Sequence, residues 1–151
     1  MSFVIYAFFV LVMVGIDQYT KSLVEAALRL GESVEIIPGF FDLRYVQNRG
    51  AGFSILQGQT VFFYVISVVA LIAFAVMLYK SKTVLSKIAL LLMIGGTIGN
   101  FIDRIMHVYV VDFLDFYIFG YDFPVFNVAD AFLTVGVFLL IIDLWKEERH
   151  A

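Results

Sequence analysis

Apolar residues along the chain gather into four runs, which polar segments separate. The runs cover residues 3–20, 61–79, 88–105 and 125–145. Each approaches the roughly 20 residues that an α-helix needs to cross the hydrocarbon core of a bilayer. The pattern predicts a mainly α integral membrane protein with four transmembrane helices in a single membrane domain over residues 1–151. The first run lacks a basic leader and a small-residue cleavage site, so we expect it to be a retained span.

The polar segments predict how the chain sits in the membrane. Residues 22–58 are mixed in polarity, and the alternation at residues 41–46 with nearby Gly and Pro predicts a small extracytoplasmic β element. Residues 56–59 are expected to form a turn. Lysines at positions 80, 82 and 87 have no acidic residue among them, which is typical of a cytoplasmic loop. Both termini are therefore expected in the cytoplasm.

Composition agrees with a membrane protein and excludes several kinds of site. Hydrophobic residues make up 62% and charged residues 15% of the chain, against roughly 45–50% and 25% in soluble domains. The net charge of −3 is scattered, which gives no sign of nucleic-acid binding. The chain has no cysteine, so disulfides and thiolate nucleophiles are excluded. Two histidines are too few for a conventional zinc site, and we expect no cofactor or metal.

Two aspartates stand out because apolar residues surround them. Asp130 lies inside the fourth run, about one turn from its outward end, and Asp112 follows Val110 and Val111. Ionisable side chains in a membrane segment are costly and usually have a task or a partner. Two nearby carboxylates cannot both ionise cheaply, so one holds a proton while the other can deprotonate water. We expect Asp112 and Asp130 to meet at the membrane surface and hydrolyse an amide.

The residues alone leave other interpretations open. Asp130 can be a structural hydrogen-bonding group that pins helices together. A serine–lysine pair, such as Ser54 with Lys21, is an alternative that the spacing leaves open. A proton- or cation-coupled carrier would also need membrane acids, although near mid-bilayer on several helices. A scaffold protein with glycine-rich helix faces would not need Asp112 or Asp130 at all.

A second dense stretch is GGTIGNFIDR at residues 95–104. Gly95 and Gly99 are spaced for close contact between helices. Asp103 and Arg104 are adjacent and hence lie on different sides of the helix, so they need not pair with each other. Asp103 is a rival for the catalytic role, but its place beside a cation at a helix end favours a supporting role.

Four groups of motifs, taken together and in order, resemble the lipoprotein signal peptidases, the type II signal peptidases of bacteria. The motifs are DQYTK at 17–21, YVQNRGAGFS at 45–54, GGTIGNFIDR at 95–104, and VVDF at 110–113 followed by FPVFNVAD at 123–130. The likeness extends over nearly the whole chain. Each motif alone is a weak signal, and the ordered set is highly specific.

The resemblance implies a fold and an activity. The fold is four transmembrane helices with a small extracytoplasmic β cradle and a short helical flap. The activity is that of an aspartyl endopeptidase of the bacterial cytoplasmic membrane, with its active site toward the extracytoplasmic face. Its substrates are diacylglyceryl-modified prolipoproteins, cut just before the lipidated lipobox cysteine. Membrane lipids are further partners, globomycin-like peptides are expected inhibitors, and the enzyme is expected to be a monomer.

The resemblance also assigns residues. It places the catalytic pair on Asp112 and Asp130. It implies supporting or substrate-binding roles for Asp17, Lys21, Asn48, Gly50, Asn100, Asp103, Arg104, Asn127 and Ala129. We further expect Phe40, Phe41 and Phe53 to line the substrate entry, and the segments LGES at 30–33 and QNRG at 47–50 to cover the bound peptide.

Two positions depart from the family pattern. Val108 stands where the family usually has glycine, and Gly52 stands where alanine is common. If that glycine supplies a positive φ, the approach of the chain to Asp112 differs locally. Neither departure touches the expected catalytic pair.

Overall fold

The computed structural model describes residues 3–50 and 59–150. Four helices and four strands are found in these ranges. In chain order they are α1 Phe3–Ala27, β1 Ser33–Ile37, β2 Phe41–Asn48, α2 Thr60–Lys80, α3 Val84–His107, β3 Val110–Ile118, β4 Tyr121–Asp122 and α4 Val128–His150. Residues 56–58 of the turn predicted at 56–59, and the residues Phe53 and Ser54, lie outside the described ranges.

All four helices are long and apolar enough to cross a membrane, which confirms the predicted mainly helical membrane fold. Their outer faces carry exposed aliphatic and aromatic side chains, as a hydrocarbon solvent allows. Helix α1 continues to Ala27, beyond the predicted end of the first span at residue 20. The reason is that Asp17 and Lys21 do not mark a helix end but turn inward, where both are buried.

Helix α3 is the centre of the bundle and contacts each of the other three helices. The sequence predicts close helix contact at Gly95 and Gly99, and the structure shows it at both and also at Gly96. A Cβ at Gly96 would stand 2.4 Å from the backbone oxygen of Ala129 in α4. A Cβ at Gly99 would stand 2.5 Å from a carboxylate oxygen of Asp17 in α1. The bare backbone of α3 therefore lets both neighbours bring polar groups against it.

The strands form one antiparallel sheet in the order β1-β2-β3-β4, and β2 contains the alternating residues that predict a strand. Strand β3 runs beside β2, with Asn48 opposite Val110 and Val46 opposite Asp112. The sequence did not identify β3 as a strand, because its nearly continuous apolar and aromatic residues show no clear alternation.

The segment before α4 is held against β3. The backbone oxygen of Phe126 accepts hydrogen bonds from the backbone N–H groups of Phe113 and Leu114, and the N–H of Phe126 returns one to Leu114. This pairing brings the first turn of α4 beside the start of β3. The fold thereby places Asp130 and Asp112 at one end of the bundle.

Two tight turns use residues with positive φ. Val108 ends α3 at φ 64°, and its N–H donates to the backbone oxygen of Arg104. Phe119 and Gly120, at φ 51° and 81°, form the two-residue connection between β3 and β4. Val108 thus adopts the left-handed conformation that suits glycine. The backbone at this position has the positive φ that the glycine of the family pattern would supply without strain.

Candidate active site

Asp112 and Asp130 face the same cavity. Asp112 is on β3 and is 2% exposed, whereas Asp130 is in the first turn of α4 and is half-buried. Both line a cavity of about 200 Å³, together with Asn48, Asn100 and Arg104. The predicted pair is therefore brought to one place, with amide and guanidinium groups beside it.

Asn127 joins the two carboxylates. Its side-chain Nδ2 donates to Asp112 Oδ1 at 2.7 Å, and its backbone N–H donates to Asp130 Oδ2 at 3.2 Å. In return, the backbone N–H of Asp130 donates to Asn127 Oδ1 at 2.9 Å. This reciprocal pattern is a capping box at the start of α4, which fixes the Asp130 side chain to its own helix end.

Asn100 orients Asp130 from the side of α3. Its Nδ2 donates to Asp130 Oδ1 at 2.7 Å. Its Oδ1 accepts from Lys21 Nζ at 3.0 Å and from Asn127 Nδ2 at 3.1 Å. Since two donors point at Oδ1, the amide can only stand with its NH₂ group toward the carboxylate.

Asn48 performs the corresponding task for Asp112. Its Nδ2 donates to Asp112 Oδ2 at 2.9 Å, and its Oδ1 accepts from the backbone N–H of Gly50 at 2.9 Å. Gly50 therefore contributes through its backbone, as the end of the turn that orients Asn48. Each carboxylate oxygen of Asp112 and Asp130 accepts one N–H group of Asn48, Asn100 or Asn127, and a carboxylate oxygen can accept a second donor as well.

A buried ion cluster lies behind the amides. Lys21 Nζ is 2.8 Å from Asp17 Oδ2 and 2.9 Å from Asp103 Oδ2. With the bond to Asn100 Oδ1, these contacts use the three donors of the ammonium group. Asp17 Oδ1 also accepts the backbone N–H of Ala129 at 3.0 Å, so Asp17 caps the N-terminus of α4. Ala129 is fully buried at this contact.

Asp103 is committed to this cluster. Besides Lys21, its carboxylate accepts from Gln18 Nε2 at 2.7 Å and from the backbone N–H of Val111 at 3.1 Å. It is buried and is not part of the cavity lining that contains Asp112 and Asp130. The geometry gives Asp103 the position of a support for β3. Sequence reasoning missed Gln18, although a polar side chain beside Asp17 in a membrane helix was a usable signal.

Arg104 lies at the cavity wall, near the carboxylates but without a direct ion pair among the described residues. Within residues 3–50 and 59–150, none of the ion pairs found involves Arg104. Its guanidinium stands 5.0 Å from the ring centre of Phe63, and its Nη1 donates to the backbone oxygen of Asn100. A cation held by an aromatic ring and aimed at a cavity suits a polar or anionic group of a ligand.

The electrostatics favour a shared proton. Burial, and then the negative charge of Asp130, raise the pKa of Asp112 to about 7, against the opposing effect of the donors from Asn48 and Asn127. The proton belongs to the pair, since two interacting carboxyl groups lose their protons in steps that cannot be assigned to either residue alone. Near neutral pH the site can therefore hold one acid and one base together.

Other chemistries find less support among the described residues. No cluster of three His, Asp or Glu side chains in these ranges is arranged to hold a metal ion. The ammonium of Lys21 is bound by Asp17, Asp103 and Asn100, which leaves it no contact to a serine nucleophile. Its suggested partner Ser54 lies outside the described ranges.

Known proteins resemble the chain along nearly its full length. The family described as Signal peptidase (SPase) II matches residues 9–146. A lipoprotein signal peptidase from Streptococcus thermophilus strain CNRZ 1066 is 49% identical over 144 residues, which cover 93% of this chain and 92% of the relative. Another from Anoxybacillus flavithermus strain DSM 21510 / WK1 is 45% identical over 148 residues, covering 97% and 88%. A solved structure described as a bacterial membrane enzyme superposes with a TM-score of 0.91 at 39% identity, covering 97% of this chain and 90% of that one.

Proposed function

The chain belongs to the signal peptidase II family of aspartic proteases, and we propose that it cuts diacylglyceryl-modified prolipoproteins immediately before the lipidated lipobox cysteine. Removal of signal peptides from prolipoproteins follows from the family. Three points go beyond the family and are proposed here. They are cleavage before a lipidated cysteine, the identity of the catalytic pair and the roles of the supporting residues. Asp112 and Asp130 are the catalytic residues in this proposal.

In the proposed reaction the pair holds one proton at the start. The ionised carboxylate takes a proton from water, whose oxygen attacks the scissile carbonyl carbon. The protonated carboxyl gives its proton to the carbonyl oxygen, which leaves a neutral tetrahedral diol. The first carboxyl then protonates the leaving nitrogen as the carbon–nitrogen bond breaks. The second carboxylate recovers a proton from the diol hydroxyl, so the pair returns to its starting state and one water is consumed.

The observation that carries the proposal is the double contact of Asn127. One residue donates to Asp112 Oδ1 and to Asp130 Oδ2, which holds two carboxylates from different elements on one cavity. Preorganised donors of this kind need no rearrangement when charge moves between the carboxylates.

The cavities around the pair support a path for the substrate. On the helix side, a cavity of about 270 Å³ is lined by Phe63, Ser67 and Thr97 and reaches Asp130. On the sheet side, a cavity of about 340 Å³ is lined by Arg44 and Asp122 and reaches Asp112. The signal peptide, an apolar helix, suits the helix side. The mature part of the precursor suits the polar sheet side.

The proposal includes the setting of the enzyme. Both termini face the cytoplasm, and the sheet with the carboxylate pair faces the opposite side, where lipidated precursors emerge. The lysines of the loop between α2 and α3 favour this orientation. The enzyme acts as a monomer in one membrane domain, and globomycin-like peptides occupy the same cavity.

A gel-shift cleavage assay with a diacylated prolipoprotein tests the catalytic pair. Asp112→Asn and Asp130→Asn are expected to abolish cleavage, because neither can complete the proton exchange. Asp103→Asn is expected to retain partial activity. Asp115→Asn is the matched control, since Asp115 is equally buried on β3 but does not line the cavity.

Membrane insertion of each variant is measured in parallel. An inactive Asp103→Asn beside an active Asp112→Asn would move the pair to Asp103 and Asp130. A wild-type enzyme that cuts unlipidated precursor equally well would refute the lipid requirement.

A further inference from the structure

A second cavity lies at the end of the bundle away from the carboxylate pair. It has a volume of about 380 Å³ and sits between the ends of α2 and α4 and the start of α3. Leu144 in its wall is fourteen residues from Asp130, which corresponds to roughly 20 Å along α4. The cavity therefore has no part in the proposed cleavage site.

The lining of this cavity has two zones. Lys80 and Lys82, both exposed, form the rim. The rest of the lining is mainly apolar and includes buried Leu90, half-buried Leu140 and half-exposed Leu144, with the buried Ser86 among them. Leu90 lies nearly two turns into α3, which begins at Val84, and Leu140 lies about one turn before Leu144 on α4. A cationic rim above an apolar slot matches a molecule with an anionic head and an apolar tail.

The charges around the rim do not cancel the lysines. Residues 80–87 carry no acid, and the tail at residues 146–149 has two acids and two bases. The nearest buried carboxylate, Asp143, accepts hydrogen bonds from the hydroxyl groups of Thr83 and Ser86 and is 6% exposed. Both hydroxyl groups donate to Oδ2, which holds the carboxylate inside the bundle, and none of the ion pairs found among the described residues joins Asp143 to Lys80 or Lys82.

We propose that this cavity binds one anionic phospholipid from the leaflet on its side of the membrane. The phosphate lies between Lys80 and Lys82, and one acyl chain follows Leu90, Leu140 and Leu144. Lysines near an anionic surface each strengthen lipid binding on the order of fivefold. A volume near 380 Å³ falls in the range of small-molecule sites, roughly 300–1,000 Å³, and suits part of one chain.

Native mass spectrometry of the full chain in detergent tests the site, with added phosphatidylglycerol or phosphatidylcholine of identical acyl chains. The wild type is expected to retain one phosphatidylglycerol per chain and to bind phosphatidylcholine much more weakly. The double variant Lys80→Gln/Lys82→Gln is expected to lose roughly thirtyfold in phosphatidylglycerol affinity. Leu140→Trp, which fills the slot without changing charge, is expected to lower the affinity as well.

Lys87→Gln is the matched control, because it removes a charge close by in sequence but lines a different groove, between α1 and α3. Its phosphatidylglycerol affinity is expected to stay at the wild-type value. Equal binding of the two lipids, or an equal loss in Lys87→Gln, would overturn the proposal in favour of unspecific surface charge. Competition by inorganic phosphate with no effect of Leu140→Trp would overturn it in favour of a free phosphate site. A dimer that excludes lipid would assign the cavity to a second copy.

Discussion

Val108 has a backbone conformation that is unfavourable for its β-branched side chain. A β-branched residue at φ 64° is strained, since the left-handed region costs a residue with a Cβ about 1–2 kcal/mol. The side chain is about half exposed, so removing it loses little buried apolar surface. Val108→Gly is expected to stabilise the protein by about 1 kcal/mol after the extra freedom of glycine in the unfolded chain is counted.

Thermal unfolding in detergent measures this effect, with an expected rise in the midpoint of about 2–4 °C. Val108→Ala is the control, because alanine keeps the Cβ and with it most of the strain. If the midpoint rose equally in both variants, the added stability would come from removing the γ-methyl groups of valine and not from relieving backbone strain.

In the proposed mechanism, Asp112 sets how the rate of cleavage depends on pH. With a pKa raised to about 7 by burial and by Asp130, the pair loses its proton as pH rises through that value. The acid that protonates the carbonyl oxygen is then absent, so kcat/KM is expected to fall about tenfold per pH unit on the alkaline side. Initial cleavage rates from about pH 5 to about pH 9 measure this limb.

Asn48 provides a sharper version of that test. Its hydrogen bond favours the ionised form of Asp112, so Asn48→Ala raises the pKa of Asp112 further. The alkaline limb is therefore expected to move to higher pH, whatever happens to the maximal rate. An unmoved limb would mean that another group controls it.

Helix α3 depends on glycine at its contact with α4. A Cβ at Gly96 would meet the backbone oxygen of Ala129 at 2.4 Å and Leu133 Cγ at 2.9 Å. Helix α4 must shift to make room for this Cβ. Gly96→Ala is therefore expected to lower the free energy of unfolding by about 1–3 kcal/mol, and to slow cleavage by displacing Asp130. Thermal midpoints and cleavage rates in detergent measure both effects.

Gly15 in α1 is the matched control. No atom lies within 4 Å of a Cβ placed there, so Gly15→Ala is expected to be neutral or to stabilise by up to about 1 kcal/mol through helix propensity. If Gly96→Ala proved as harmless as Gly15→Ala, the contact between α3 and α4 would be looser than these distances require.

Elements differed in how far the sequence predicted them. The helices followed from the length of their apolar runs, and β2 followed from its alternation of apolar and polar residues. Strand β3 was missed, since its first four residues are all buried and its sequence, apolar apart from two aspartates, shows no alternation. The pairing of Phe126 with β3, which sets Asp130 beside Asp112, has no local signature at all.

At the scale of the molecule, the candidate site is a set of contacts between distant parts of the chain. Asp17 caps the helix that begins more than a hundred residues later, through the N–H of Ala129. The resemblance assigned these residues to supporting positions. Neither the resemblance nor the spacing assigned the contacts, because hydrogen bonds between helices depend on tertiary packing. The donor that Asn127 gives to each carboxylate could be found only in three dimensions.

Lys21 holds this long-range network together, and its removal provides the widest test of the fold. Lys21→Met leaves Asp17 and Asp103 buried without their cation, which is expected to cost about 3–5 kcal/mol and to impair cleavage. Lys82→Met, at an exposed position, is the control and is expected to leave the thermal midpoint unchanged in lipid-free detergent.

The decisive comparison is the double variant Lys21→Met/Asp103→Asn. An amide at position 103 can still accept the N–H of Val111, and it removes one of the two stranded charges. The double variant is therefore expected to be more stable than Lys21→Met alone, with the two changes far from additive. Thermal unfolding of the four proteins in the cycle measures the coupling. Simple additivity would show that Lys21 and Asp103 contribute separately, and that the ion cluster does not act as the unit that fixes α1, α3 and the start of α4.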